Sequence, residues 1–209
     1  MQTVLVSTAY LPSIRFFSTL IKSEQLIFEK HEHYVKQTYR NRALVYGPNG
    51  LLPLIIPVHH QDLYRMPVHD VRINYDEPWQ RIHWRTITSA YRNSPYFDFF
   101  EEELKPFYEM QTERLFDFNL ELSSKLFSLL KCKFSPAFTE QFILDYDSSV
   151  EDLRNFFHPG KRNLNDPEYR QVFHEKHGFL SDLSMIDLLF NKGLKALEYM
   201  EAPEKIPPH

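Results

Sequence analysis

Residues Gln25 to Val58 read Gln-Leu-Ile-Phe-Glu-Lys-His-Glu-His-Tyr-Val-Lys-Gln-Thr-Tyr-Arg-Asn-Arg-Ala-Leu-Val-Tyr-Gly-Pro-Asn-Gly-Leu-Leu-Pro-Leu-Ile-Ile-Pro-Val. An apolar strand start, Leu26–Glu29, runs into a polar stretch that ends at Arg42. Ala43–Tyr46 and Leu52–Val58 then flank Gly47-Pro-Asn-Gly50, which reads as a hairpin. Pro53 and Pro57 put its second arm at an edge or a strand end. Charged groups crowded at the end of a buried strand are costly unless something requires them there. In an extended chain Glu29, His31 and His33 share one face, and Glu32, Tyr34 and Lys36 the other. Neither face is apolar, so a simple half-buried strand fits poorly.

Working outward, Val4–Tyr10 reads as a first strand and Ser13 to about Lys22 as a short helix after Pro12. Val68–Tyr75 alternates and reads as a further strand. The character changes at Glu77-Pro78-Trp79. Helical spacing covers Trp79–Tyr91, then Tyr96–Tyr108 after the Ser94 cap and Pro95, then Thr112 to about Lys131. Phe142–Tyr146 suits a short strand and Ser148–Phe157 a helix. His158–Pro167 reads as a polar loop, and Ser184-Met-Ile-Asp187 is a capping box that opens a helix closed at Gly193. The order predicts an α/β or α+β fold, a strand-rich N-terminal half followed by a helix-rich half packed on it. One domain is expected over residues 1–201, with 202–209 a loose tail.

Composition narrows the function classes. The 209 residues carry a net charge of -4, which gives no general attraction to nucleic acid. The single cysteine, Cys132, excludes a disulfide framework and an all-cysteine zinc site. Its flanking lysines suggest a lowered pKa, although a thiol ending a Leu-rich helix is more often packing. No apolar run is long enough to span a bilayer, and the N-terminus reads as a strand, not a signal peptide. A cytoplasmic protein without membrane insertion is the expectation. With 5 glycines and none in the required spacing, there is no phosphate loop and no dinucleotide fingerprint. Gly-x-Ser-x-Gly and His-Glu-x-x-His are absent too. No cofactor is assigned.

Lys36, Arg40 and Arg42 give local positive charge suited to a phosphate or carboxylate, and Asn41 offers both donor and acceptor atoms. The plain alternative is a solvated hairpin with surface ion pairs. Glu29, His31 and His33, with His59-His60 or His174 and His177, raise a metal site as a further alternative. His83 lies on the apolar side of its helix, as a core histidine or as a general base. His158-Pro-Gly-Lys161-Arg162 is a basic turn.

Several of these residues, in order and spacing, resemble the WbqC-like proteins. Tyr10-Leu-Pro-Ser-Ile14 with Phe16-Phe17, Lys36, Asn41-Arg42, Gly50 and Leu54–Val58 carry the N-terminal part. Trp79, His83, Trp84, Tyr91, Ser94-Pro-Tyr-Phe97, Leu115 and Asn119 carry the middle. Tyr169-Arg-Gln-Val-Phe173, Gly178-Phe179, Leu183–Asn191 and Gly193 complete it. The resemblance implies a bacterial cytoplasmic protein of a family found in gene clusters for O-antigen and other surface polysaccharides. It marks Lys36, Asn41, Arg42, His83 and Tyr91 as family-type positions without assigned roles. Some members carry an acidic pair where this chain has Lys30-His31.

The combined expectation is a transferase-type enzyme of surface-polysaccharide biosynthesis. Its substrate is a small molecule, a nucleotide sugar or an activated acyl or amino donor. Glu32 and His83 are the candidate acid and base, and Lys36, Arg40, Asn41, Arg42 and Tyr91 the candidate binding residues. A non-catalytic ligand-binding or scaffold module and a metal-dependent enzyme are the alternatives.

Overall fold

The computed structural model describes residues 3–59, 65–162 and 166–201. Strand β1 (Thr3–Val6) is followed by helix α1 (Ile14–Lys22) and β2 (Gln25–Phe28). Ser13 caps α1 by accepting from the Phe16 N–H at 3.3 Å. The helix turns Ile14, Phe16, Phe17 and Leu20 into the core. The hairpin is β3 (Arg42–Gly47) and β4 (Gly50–Ile55), in register from Arg42↔Ile55 to Gly47↔Gly50. Gly50 has φ +100°, a conformation that favours glycine.

Helices α2 (Trp79–Tyr91), α3 (Phe97–Leu104, extended by a 3-10 turn Lys105–Tyr108) and α4 (Leu115–Leu129) come next. The chain then returns to the sheet as β5 (Ala137–Phe138) and β6 (Val150–Asp152). Short helices α5 (His174–His177), α6 (Met185–Lys192) and α7 (Ala196–Glu201) close it. Ser184 caps α6 through the Ile186 N–H. Its expected capping-box partner Asp187 instead bonds to Tyr169 and Gln171.

The sheet is parallel throughout, in the order β5-β2-β1-β6, so the fold is mixed α/β. β1 lies inside it, and Val4, Leu5 and Val6 are all buried. The chain steps from β1 to β2 on one side and comes back as β6 on the other. The strand order therefore reverses between β1 and β6. The hairpin stands apart from this sheet and packs on α2, where the Tyr46 N–H donates to the Tyr91 hydroxyl at 3.0 Å.

Three expected elements differ. Val68–Tyr75 alternates as read, with Val71 and Ile73 inside, but it is a 3-10 turn (Val68–Asp70) followed by isolated bridges. It threads between Pro57–His59 and Glu113–Leu115, and Pro57 and Pro67 have no N–H to extend a ladder. Ser148–Phe157 is not helical. Ser149 closes a turn on the Asp147 side chain, and the next three residues pair with β1. The short strand expected at Phe142–Tyr146 is instead Ala137–Phe138. The tail from Ala202 and residue His60 lie outside the described residues.

Candidate functional site

Parallel strands end at a common edge. Here β1, β2, β5 and β6 give way to Ser7, Glu29, Thr139 and, through Asp152, Arg154. Every one of these is polar, and they meet. Glu29 is fully buried. Its Oε1 accepts from the Thr139 hydroxyl and the His31 N–H, both at 2.7 Å. Its Oε2 accepts from Arg154 Nη1 at 3.2 Å.

Arg154 also grips Asp152 through Nε at 2.9 and 3.0 Å and through Nη2. It donates further to the carbonyls of Ile143 and Leu144, both at 2.9 Å. The rings of Phe142 and Tyr146 flank the guanidinium at 5.0 and 5.4 Å. Partial burial works against the Asp152 charge, but hydrogen bonds from Arg154 and its charge prevail, so the carboxyl is held below its usual range.

A second pair stands beside the first. Arg40 clasps Glu32 with both ends of its fork, Nε to Oε1 at 2.9 Å and Nη2 to Oε2 at 2.6 Å. Arg40 Nη2 reaches Ser7 Oγ at 2.7 Å, and Ser7 Oγ donates to the Arg154 carbonyl at 3.2 Å. Ser7 thus joins the two ion-pair clusters across the reversal point. Asn119, fully buried on α4, fixes the Arg40 carbonyl at 2.7 Å from below.

Over this edge lies a cavity of about 380 Å³. Its lining includes His31, Glu32, His33, Phe142, Asp152 and Arg154. His31 Nε2 is shielded from solvent and has no hydrogen-bond partner. The ring stands edge-on to His69 at 5.1 Å, and His69 is tied to the Lys30 carbonyl and lies 3.5 Å from Asp70. Open parallel sheets take ligands outside the carboxyl ends of their strands, where the strand order reverses. This cavity occupies that place.

The expected site residues are only partly brought together. Glu32 and Arg40 meet at the cavity, as one buried pair. Lys36 is exposed. Arg42, at the start of β3, is half-buried and its Nε has no hydrogen-bond partner. Tyr34 lies near enough to Arg40 and Arg42 to feel both charges, although burial dominates and raises its phenol to about 12. Asn41 donates to the Ile56 carbonyl at 2.8 Å and anchors the hairpin.

His83 and Tyr91 are in the core and do not line the cavity. His83 Nδ1 lies 2.9 Å from the Tyr10 hydroxyl, which lies 3.1 Å from that of Tyr108. Burial lowers the His83 pKa to about 4, so the ring is neutral; it donates to the Ile55 backbone from its other nitrogen, which leaves Nδ1 to accept from Tyr10. Tyr91 belongs to a buried group with Asp187 on α6, whose carboxyl burial pushes up to about 6.

The other candidates resolve individually. Burial pushes the Cys132 thiol up, which agrees with the packing role and not with a pKa lowered by its lysine neighbours. Arg162 of the basic turn bonds the Ser181 carbonyl. His177 and Lys176 both reach the Pro48 carbonyl at 2.8 Å, clasping the hairpin turn. Among the described residues no group of three or more His, Cys, Asp or Glu side chains is placed to hold a metal ion.

The sequence reading did not single out Asp152 and Arg154, and weighed Glu29 only as a metal ligand. The signal available was a strand of three residues, Val150–Asp152, ending in an acid two positions before an arginine.

The model of the WbqC-like protein family matches residues 8–156, more than half of the chain. The chain belongs to the WbqC-like protein family. That match takes in the hairpin, α2, α4 and all the cavity residues named above. An uncharacterised protein of Mycobacterium tuberculosis (strain ATCC 25618 / H37Rv), Rv1507c, is 24% identical over 229 residues, covering 95% of this chain and 97% of that protein. No solved structure matches the chain. Among the described residues no helix is long and apolar enough to cross a membrane.

Proposed function

We propose that this WbqC-like protein is a transferase-type enzyme of bacterial surface-polysaccharide synthesis, acting on a small activated substrate held at the carboxyl edge of its sheet. The observation that carries the reading is the polar cavity at the point of strand reversal, built on Glu29, Glu32, Arg40, Asp152 and Arg154. A site there needs rigid walls, and the buried ion pairs supply them. Arg42, half-buried at the start of β3, and the exposed Lys36 do not line the cavity itself; in this reading they take the anionic part of a nucleotide sugar or acyl donor that extends beyond it. Asn41, His83 and Tyr91 act as positioning residues that hold the hairpin against the sheet and α2. Glu32, in the cavity lining, is the acid or base of this reading.

Isothermal titration of the whole chain with nucleotide sugars and acyl donors tests this. The expected result is binding that weakens by about tenfold or more in Arg42→Ala, the loss of one charge-assisted contact. Absent binding, or binding unchanged by the substitution, overturns it. One observation favours a second reading, a ligand-binding module without turnover: all three carboxylates at the cavity base are engaged by guanidinium groups. Saturable binding of a nucleotide sugar with no product formed over hours would select that module.

A further inference from the structure

We propose that the cavity recognises the ammonium group of an amino sugar, so that its charge sense is opposite to the anion site expected from the run of basic residues in the sequence. The inference rests on the reading of the cavity as a sugar site. Three carboxylates, Glu29, Glu32 and Asp152, face two guanidiniums, Arg40 and Arg154, within one hydrogen-bonded network. Within that network the carboxylates outnumber the guanidiniums by one, and the most open of them is Asp152 in the cavity wall.

The N–H donors of Arg154, the arginine that lines the cavity, are already used. All five N–H groups of Arg154 point at Asp152, Glu29 and the two carbonyls. Arg40 is 3% exposed and locked onto Glu32. The acceptors are not exhausted. Asp152 is a third exposed in the cavity wall; three N–H groups of Arg154, the backbone one included, already bond to it, which leaves about one of its four lone-pair sites open. His31 adds an unpartnered ring nitrogen. Phe142, 48% exposed with Arg154 stacked near its ring, presents apolar surface at the rim. A hexose ring has one apolar face for such a surface. An ammonium on it can donate to Asp152, the open acceptor of the wall, with its remaining N–H groups left to water. A carboxylate or phosphate in the same place would meet the excess negative charge and find no free donor on Arg154.

The test is a two-dimensional amide NMR titration of the whole chain near neutral pH with D-glucosamine, D-glucose and D-glucuronate. Glucosamine is expected to shift signals of Lys30–Val35, Phe142–Leu144 and Asp152–Asn155. Glucose is expected to bind about tenfold or more weakly, and glucuronate not at all at these residues. Asp152→Asn should lose about tenfold of the glucosamine affinity. If that variant fails to fold, Phe142→Ala, a change at a half-exposed ring, should weaken glucosamine several-fold while the rest of the spectrum is retained. Glucuronate binding as tightly as glucosamine, or glucosamine shifts confined to other regions, overturns the proposal. Binding of glucose or a nucleotide sugar in the cavity with no preference for the amine sinks this inference and leaves the sugar-site reading standing. Failure of every sugar and nucleotide sugar to bind there sinks both.

Discussion

Replacing His83 by Gln and, separately, Asp187 by Asn should give two proteins whose stabilities run in opposite directions with pH relative to the parent. His83 has its pKa lowered by burial from 6.5 to about 4. The unfolded chain therefore takes up a proton that the folded ring refuses. Its contribution is fully present above 6.5 and is lost as pH falls towards 4. At about 1.4 kcal/mol per pH unit the loss approaches about 3 kcal/mol. Asp187 is the reverse case. Burial raises its carboxyl from 3.8 to about 6, so the folded state keeps a proton that the unfolded chain releases. Its contribution is present below 3.8 and is lost as pH rises through 6, again by about 3 kcal/mol. In the parent protein the two terms offset each other between 4 and 6, and each substitution exposes the remaining one. Urea unfolding followed by tryptophan fluorescence reads this, because Trp79 is buried against His83. The cost of His83→Gln should shrink by about 3 kcal/mol from pH 6.5 to pH 4, as Gln keeps an acceptor for Tyr10 but cannot titrate. The cost of Asp187→Asn should shrink by a similar amount from pH 4 to pH 6. Stability curves of both variants that stay parallel to the parent across this range would refute the assignment of these two protonation states.

Arg154→Met leaves Glu29 charged and fully buried without its cation, and should cost about 3–5 kcal/mol in urea unfolding. Glu29→Gln with Arg154→Met should recover a large part of that loss, and a double variant no more stable than Arg154→Met alone would show that the charge of Glu29 is not what is stranded. Gly193→Ala should destabilise by about 2 kcal/mol or more, because φ is +59° and a Cβ would meet the Tyr96 ring at 2.8 Å; an unchanged thermal midpoint would contradict it. Ser184→Ala should cost about 1 kcal/mol through the lost cap on the Ile186 N–H, measured by the same urea titration.

How much of this was legible follows the range of the interactions concerned. The hairpin at Gly47–Gly50, the Trp79–Tyr91 helix and the Ser184 cap are local, and turn chemistry, helical spacing and a capping side chain announce them. Val150–Asp152 is a strand only because its neighbour is β1, with Thr3 opposite Val150, and nothing within a ten-residue window reports that partner. The site inherits the same division. Glu32 and Arg40 lie eight residues apart, so a charged run was enough to suggest them. Glu29 and Arg154 lie 125 residues apart and meet only because β2 and β6 flank β1 in a parallel sheet. The density of basic residues from Lys36 to Arg42 pointed to an anion pocket. The fold turns Arg40 inward onto Glu32 and brings Asp152 and Glu29 to the same edge. Residue types in one stretch record which charges are present, whereas the local field depends on which of them the distant strands neutralise. That is why the run near Glu29–Arg42 led to Glu32 and Arg40, which the fold pairs, but not to the Asp152–Arg154 half of the cavity wall.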